Sequence, residues 1–197
     1  MKIALYFGSF NPIHHGHLII ANQIVEQENY NELWFVVSPQ NPFKSENNLL
    51  NSNHRYHLIQ LVLEGEKKLK ASNIEFKLPK PSYTVNTLVY LKEKYPKHQF
   101  DIVIGSDGFQ NIKKWKNASF ILKNYKFIIY ERPGFEINKE VDAEFKVFVG
   151  PKLFVSSTHI RELIEKNKSI RFLVPDIVNE EIKARGYYKQ LKKEAKE

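Results

Sequence analysis

His14 and His17 stand three residues apart at the end of Gly8-Ser9-Phe10-Asn11-Pro12-Ile13-His14-His15-Gly16-His17, and three of the chain's seven histidines fall within its last four positions. A helix beginning near His15 puts both imidazoles on one side of its first turn. The Gly-Ser and Asn-Pro turns before it leave backbone N–H groups aimed at one spot, and such a spot attracts phosphate. The motif reads as an anion cradle with two added hydrogen-bond donors. Zinc is the rival ligand, since i, i+3 histidines can bind it, but the chain has no cysteine and no nearby carboxylate offers a third ligand. Histidines that only cap a helix are the plainer alternative. The Gly and Pro punctuation after a strand favours phosphate.

A second anion site is expected far along the chain. Ser156, Ser157 and Thr158 supply hydroxyls and N–H groups at a helix start, and Arg161 lies on its first turn. Arginine matches phosphate oxygens in a bidentate way. Between the two sites, Ile104-Gly105-Ser106-Asp107 closes an apolar strand. The carboxyl end of a parallel strand is where ligands bind, which puts Gly105 and Asp107 on the same rim as Gly8 and His17. Lys44, in the long turn-rich loop from Pro39 to Asn48, has the reach to swing onto a phosphate.

The elements that must hold these residues alternate. Strands are predicted at Ile3–Phe7, Glu32–Ser38, Ile74–Phe76, Phe100–Gly105, Lys126–Tyr130 and Lys146–Gly150. Helices are predicted over Leu18–Val25, from an N-cap at Ser52 to a stop by Gly65, from an N-cap at Ser82 to a stop before Pro96, over Phe109–Trp115 and Ala118–Leu122, after Val155, and between Pro175 and Gly186. Alternating strands and helices with right-handed crossovers give an α/β fold: one Rossmann-like, doubly wound parallel sheet covered on both faces. A single domain over 1–197 is expected, ending in a C-terminal helical segment from about 156 to 197.

The 197 residues carry a net charge of +8. Six basic and two acidic residues from Lys183 to Glu197 leave +4 in the last fifteen positions, half of the excess. A second cluster, Lys113, Lys114, Lys116, Lys123 and Lys126, contains no acid. Such clusters are usually solvated faces, and they also suit polyanionic small substrates. The absence of cysteine fits a reducing cytoplasm. No apolar segment approaches the roughly 18 residues of a membrane span, and no leader precedes the first strand, so a cytoplasmic protein without membrane contact is expected.

Taken together these residues resemble the HxGH nucleotidyltransferases, and within them the bacterial nicotinate mononucleotide adenylyltransferases. The resemblance rests on Gly8 to His17, on Ser82-Tyr83-Thr84-Val85-Asn86-Thr87-Leu88, on Ile104-Gly105-Ser106-Asp107 with Trp115, and on Val155 to Arg161, in that order along nearly the whole chain. Two residues depart from the pattern: Asn11 stands where many members have Asp, and Phe7 where many have Gly. The resemblance implies transfer of AMP from ATP to nicotinate mononucleotide, with pyrophosphate released. It implies His14, His17 and Arg161 as catalytic residues, and ATP held by Gly8, Ser9, Phe10, Gly16, Gly105, Asp107, Ser156, Ser157 and Thr158. Lys44, Tyr83, Thr84 and Trp115 would bind the acceptor, with Trp115 stacking on the pyridine ring. Magnesium would enter bound to ATP phosphates, with no full protein cage. The motif set is shared in part with pantetheine-phosphate adenylyltransferases. A basic nucleic-acid-binding module is the reading from another class, and it leaves the ordered phosphate motifs unexplained. Oligomeric state stays open.

Overall fold

A computed structural model describes residues 1–42, 49–137, 140–151 and 153–189. Six parallel strands form one sheet in the order β3-β2-β1-β4-β5-β6. They are β1 (Lys2–Gly8), β2 (Glu32–Val37), β3 (Leu69–Ser72), β4 (Gln99–Gly105), β5 (Phe127–Tyr130) and β6 (Phe145–Phe148). The order reverses between β1 and β4, which pair directly with Leu5 beside Ile102. At such a switch point the outgoing chains part in opposite directions and leave a crevice beyond the strand ends.

Alternation along β1 shows how the sheet is covered. Ala4 and Tyr6 face one apolar layer, while Ile3 and Leu5 face the other. The first layer is closed by α1 (His15–Gln27), α2 (Ser52–Val62), α6 (Ser157–Glu165) and α7 (Asp176–Arg185), whose buried stripes include Ile20, Ile24, Leu58, Ile59, Ile160, Val178 and Ile182. The second is closed by α3 (Thr84–Lys94), α4 (Ser106–Phe109) and α5 (Ala118–Asn124) through Val85, Leu88, Leu91, Phe109 and Ile121. Each fully buried Leu or Ile contributes about 1.5–3 kcal/mol, enough to hold every strand end at a fixed height. The expected doubly wound parallel α/β sheet is what the chain forms. No helix among the described residues is long and apolar enough to cross a membrane.

Several boundaries differ from expectation. The strand predicted at Ile74–Phe76 is a turn of 3-10 helix, Ile74–Lys77, and the real edge strand lies earlier at Leu69–Ser72. The alternation Ile74-Glu75-Phe76 imitates a strand, yet Glu75 is buried rather than solvated. Helix α2 is capped by Asn51, whose Oδ1 accepts from Asn53 N at 2.9 Å, and not by Ser52. Helix α3 begins after Tyr83, one residue beyond the predicted Ser82 cap, and no side chain caps it. Ser82 is drawn aside because its N–H donates to Gln40 O at 2.9 Å. The stretch predicted as one helix over Phe109–Trp115 is split into α4 and a 3-10 turn at Ile112–Lys114, with Asn111 folding back onto Asp107 O.

Candidate active site

A cleft of about 850 Å³ opens over the carboxyl ends of β1 and β4. The helix that follows β1 starts as expected at His15, and the residue before it, His14, acts as its cap. The His14 Nδ1 accepts from His17 N at 3.4 Å. That bond places the ring proton on Nε2, so His14 is a neutral donor. Burial pulls its pKa down to about 3, with the charges of Arg132 and His15 acting in the same direction. The His17 ring stacks on His14 with centroids 3.6 Å apart. Two imidazolium rings at that separation would repel, so the stack favours a neutral His14. Phe10 and Tyr6 meet the His17 ring edge-on at 5.1 and 5.9 Å and fix its orientation. Gly16 suits this packing, because a Cβ there would sit 3.0 Å from the His14 ring and press it out of place.

The second helix start reaches the same place. Ser156 caps α6 by accepting from His159 N at 3.2 Å, as its sequence suggested. Ser157 Oγ then donates to Pro12 O at 2.9 Å, and Arg161 Nη1 donates to Asn11 O at 2.7 Å. Arg161 Nη2 lies 3.4 Å from Thr158 Oγ1. Two loops some 145 residues apart are thus fastened backbone to side chain, and both line the cleft.

Of the residues singled out in the sequence, Gly8, Ser9, Phe10, His14, His17, Tyr83, Thr84, Gly105, Asp107, Trp115, Ser156, Ser157, Thr158 and Arg161 all line this cleft. Gly16 borders a smaller adjoining cavity of about 20 Å³ with His14, His17 and Val155. Lys44 lies outside the described residues. Ser9 Oγ is buried with no hydrogen-bond partner among the described residues, which suits an oxygen-rich ligand in the cleft. Asp107 Oδ2 accepts from Arg132 Nη1 at 3.0 Å, and Ser106 Oγ accepts from Arg132 N at 2.9 Å. Trp115 is half-buried, packed against the second apolar layer with one side on the cleft.

Three residues at or behind the site, Arg55, Arg132 and Glu75, were not singled out from the sequence. Arg55 is fully buried and donates to Leu50 O at 2.7 Å, to Ser38 O at 2.9 Å, to Pro39 O at 3.1 Å and to Ser9 O. Burial lowers its pKa to about 10, which leaves it charged at neutral pH. Its position offered a signal: Arg55 shares the helix face of Leu58 and Ile59, where a solvated arginine has no place. Arg132 lines the cleft directly. Glu75 accepts from Ser38 Oγ at 2.9 Å and from Thr87 Oγ1 at 2.8 Å, tying β2 to α3. Burial raises its pKa, and hydroxyl donors, Thr87 and Ser38 first among them, partly offset this. Asn11 accepts from Leu50 N at 3.2 Å through Oδ1, a bond that an aspartate could make equally well.

A cytidylyltransferase-like family model matches residues 5–163. A probable nicotinate-nucleotide adenylyltransferase of Cytophaga hutchinsonii is 46% identical over 95% of this chain and 98% of its own length. The chain belongs to that adenylyltransferase family. A second member, from Flavobacterium psychrophilum, is 44% identical over 96% of this chain and all of its own. Among solved structures, the nicotinic acid mononucleotide adenylyltransferase of Plasmodium falciparum complexed with NaAD superposes with a TM-score of 0.83, at 24% identity over 95% of this chain and 97% of that one. The fold of that structure therefore extends across nearly all of this chain.

Proposed function

We propose that the protein transfers the adenylyl group of ATP to nicotinate mononucleotide, giving nicotinate adenine dinucleotide and pyrophosphate. The observation that carries the reading is the joining of two helix beginnings, with His14, His17 and Arg161, around one cleft.

The nucleophile is a phosphate monoester, whose second pKa of about 6 leaves it ionised at neutral pH. No general base is needed. The site's work is to align that oxygen with the α-phosphorus and to spread the charge that builds on the bridging and leaving oxygens. His14, neutral and donating from Nε2, and His17 would bond the α- and β-phosphates. Ser9 Oγ and the N–H groups around Phe10 would hold the triphosphate from the β1 side. Arg161 and the Ser156–Thr158 turn would grip the departing pyrophosphate. Gly105 and Asp107 would sit against the adenosine ribose. On the acceptor side, Trp115 would stack on the pyridine ring, while Tyr83, Thr84 and the uncapped start of α3 would take its carboxylate. Lys44 would bring a further charge to phosphate.

A divalent cation, which we take to be magnesium, fits the cleft as a passenger of the nucleotide. Asp107 is engaged by Arg132 and Glu75 by two hydroxyls, so phosphate oxygens would hold the ion, which supplies charge neutralisation there. A cysteine-free chain fits work in the cytoplasm.

The test is pyrophosphate release with magnesium-ATP and each of three acceptors: nicotinate mononucleotide, nicotinamide mononucleotide and phosphopantetheine. Turnover is expected to be highest with the first. Preferential use of phosphopantetheine, or no turnover with any mononucleotide, overturns the reading.

A further inference from the structure

Lys116 directly follows Trp115, and its ammonium stands 4.5 Å from the centre of the Tyr83 ring. Both residues line the cleft. Tyr83 immediately precedes α3, whose first turn carries no acidic residue and receives no side-chain cap. Cation–π attraction at an exposed site is weak, so the ring positions the ammonium without neutralising it. Lys114 lines the same cleft from the 3-10 turn, but Lys116 is the lysine that stands over the Tyr83 ring.

We infer that Lys116 is a specificity residue, one that favours an acceptor ring bearing a carboxylate over the same ring bearing an amide. The inference rests on the acceptor reading above and names the group that discriminates within it. Nicotinate and nicotinamide mononucleotides share their ribose and phosphate and differ only in the ring substituent, which is anionic in one and neutral in the other. A cation at the phosphate end would serve both equally, whereas one beside the ring's pocket acts on the difference alone. The carboxylates that line the cleft do not cancel it. Asp107 is paired with Arg132, and Glu75 has both oxygens engaged by Ser38 and Thr87. The ammonium is also free to approach a ligand, since Lys116 is an exposed side chain on the cleft's rim.

The test compares wild type, K116Q and K116R in steady-state kinetics with each of the two mononucleotides at saturating magnesium-ATP. For K116Q, kcat/KM with nicotinate mononucleotide is expected to fall roughly tenfold, the scale of one hydrogen bond to a charged group. The value with nicotinamide mononucleotide should move less than about twofold, and the KM for ATP should hold. K116R should restore most of the preference. Equal losses with both acceptors in K116Q would mean that Lys116 only braces Tyr83, and an unchanged ratio would mean that it recognises nothing. Either result overturns the inference while leaving the proposed reaction intact. A wild-type protein that joins AMP to neither mononucleotide overturns the reaction itself, and this inference with it.

Discussion

Arg161 on α6 donates to the main-chain carbonyl of Asn11 at 2.7 Å, joining residues 150 positions apart in the chain. The contact fixes the guanidinium at the loop that follows β1, and a second bond, to Thr158 Oγ1 at 3.4 Å, steadies its other terminal nitrogen. Replacement by alanine should lower the forward kcat about 100-fold and raise the KM for pyrophosphate in the reverse direction more than that for the dinucleotide. R161K keeps the charge but loses the planar fork, so it should stay at least about tenfold below wild type. Steady-state kinetics in both directions checks this, and a wild-type pyrophosphate KM in R161A would contradict it.

Arg55 holds three loops together by their carbonyls, those after β1, after β2 and before α2. An R55M variant leaves buried acceptors unsatisfied and should lose about 3 kcal/mol or more. For a chain of this size that is a fall in Tm of roughly 6 to 12 °C, measurable by calorimetry. The Ser9 loop should loosen as well, raising the KM for ATP at temperatures where the variant is still folded.

These two arginines show what the sequence discloses and what it withholds. Arg161 was legible because it follows Ser-Ser-Thr by a helical step, and local spacing alone placed it on the first turn of α6. Arg55 discloses only that it shares a helix face with Leu58 and Ile59, and its partners lie on loops whose meeting depends on the whole sheet. The same division runs through the fold. Strands β1, β2 and β4 are continuous apolar runs because they are covered on both faces, and that burial makes them visible. Edge strand β3 is Leu69-Lys70-Ala71-Ser72, paired on one side only, with little apolar content to announce it. The start of α3 was misplaced by one residue because a side-chain cap was expected where none exists, and Tyr83 and Thr84 there line the cleft.

The depressed pKa of His14 carries a stability signature. Its folded value is about 3, below the ordinary imidazole value of about 6.5, so between these limits the unfolded chain binds a proton that the folded one does not. Stability from this group is therefore complete above pH 6.5 and is lost as pH falls, by about 1.4 kcal/mol per pH unit. A H14N variant, which can still cap α1, removes the term. Urea unfolding at pH 7 and pH 5 should show wild type losing about 2 kcal/mol more than H14N. Identical losses would mean that His14 titrates normally in the folded chain.

Trp115 is half in the core and half in the cleft, so its removal should show in two measurements. W115A is expected to raise the KM for nicotinate mononucleotide about tenfold with little change in the KM for ATP, alongside a modest drop in Tm. Equal effects on both substrates would assign the tryptophan to packing alone.

The most direct measurement is the single-turnover and steady-state rate of H17A with magnesium-ATP and nicotinate mononucleotide, taken together with its thermal unfolding curve. His17 lies on the cleft, held by the His14 stack and the Phe10 edge, so its loss should remove one donor to the transition state, worth about 3 kcal/mol, and little else. The expected result is a kcat reduced at least ~100-fold with Tm within a few degrees of wild type. A near-normal rate in a folded H17A protein would contradict the assignment of this cleft to adenylyl transfer.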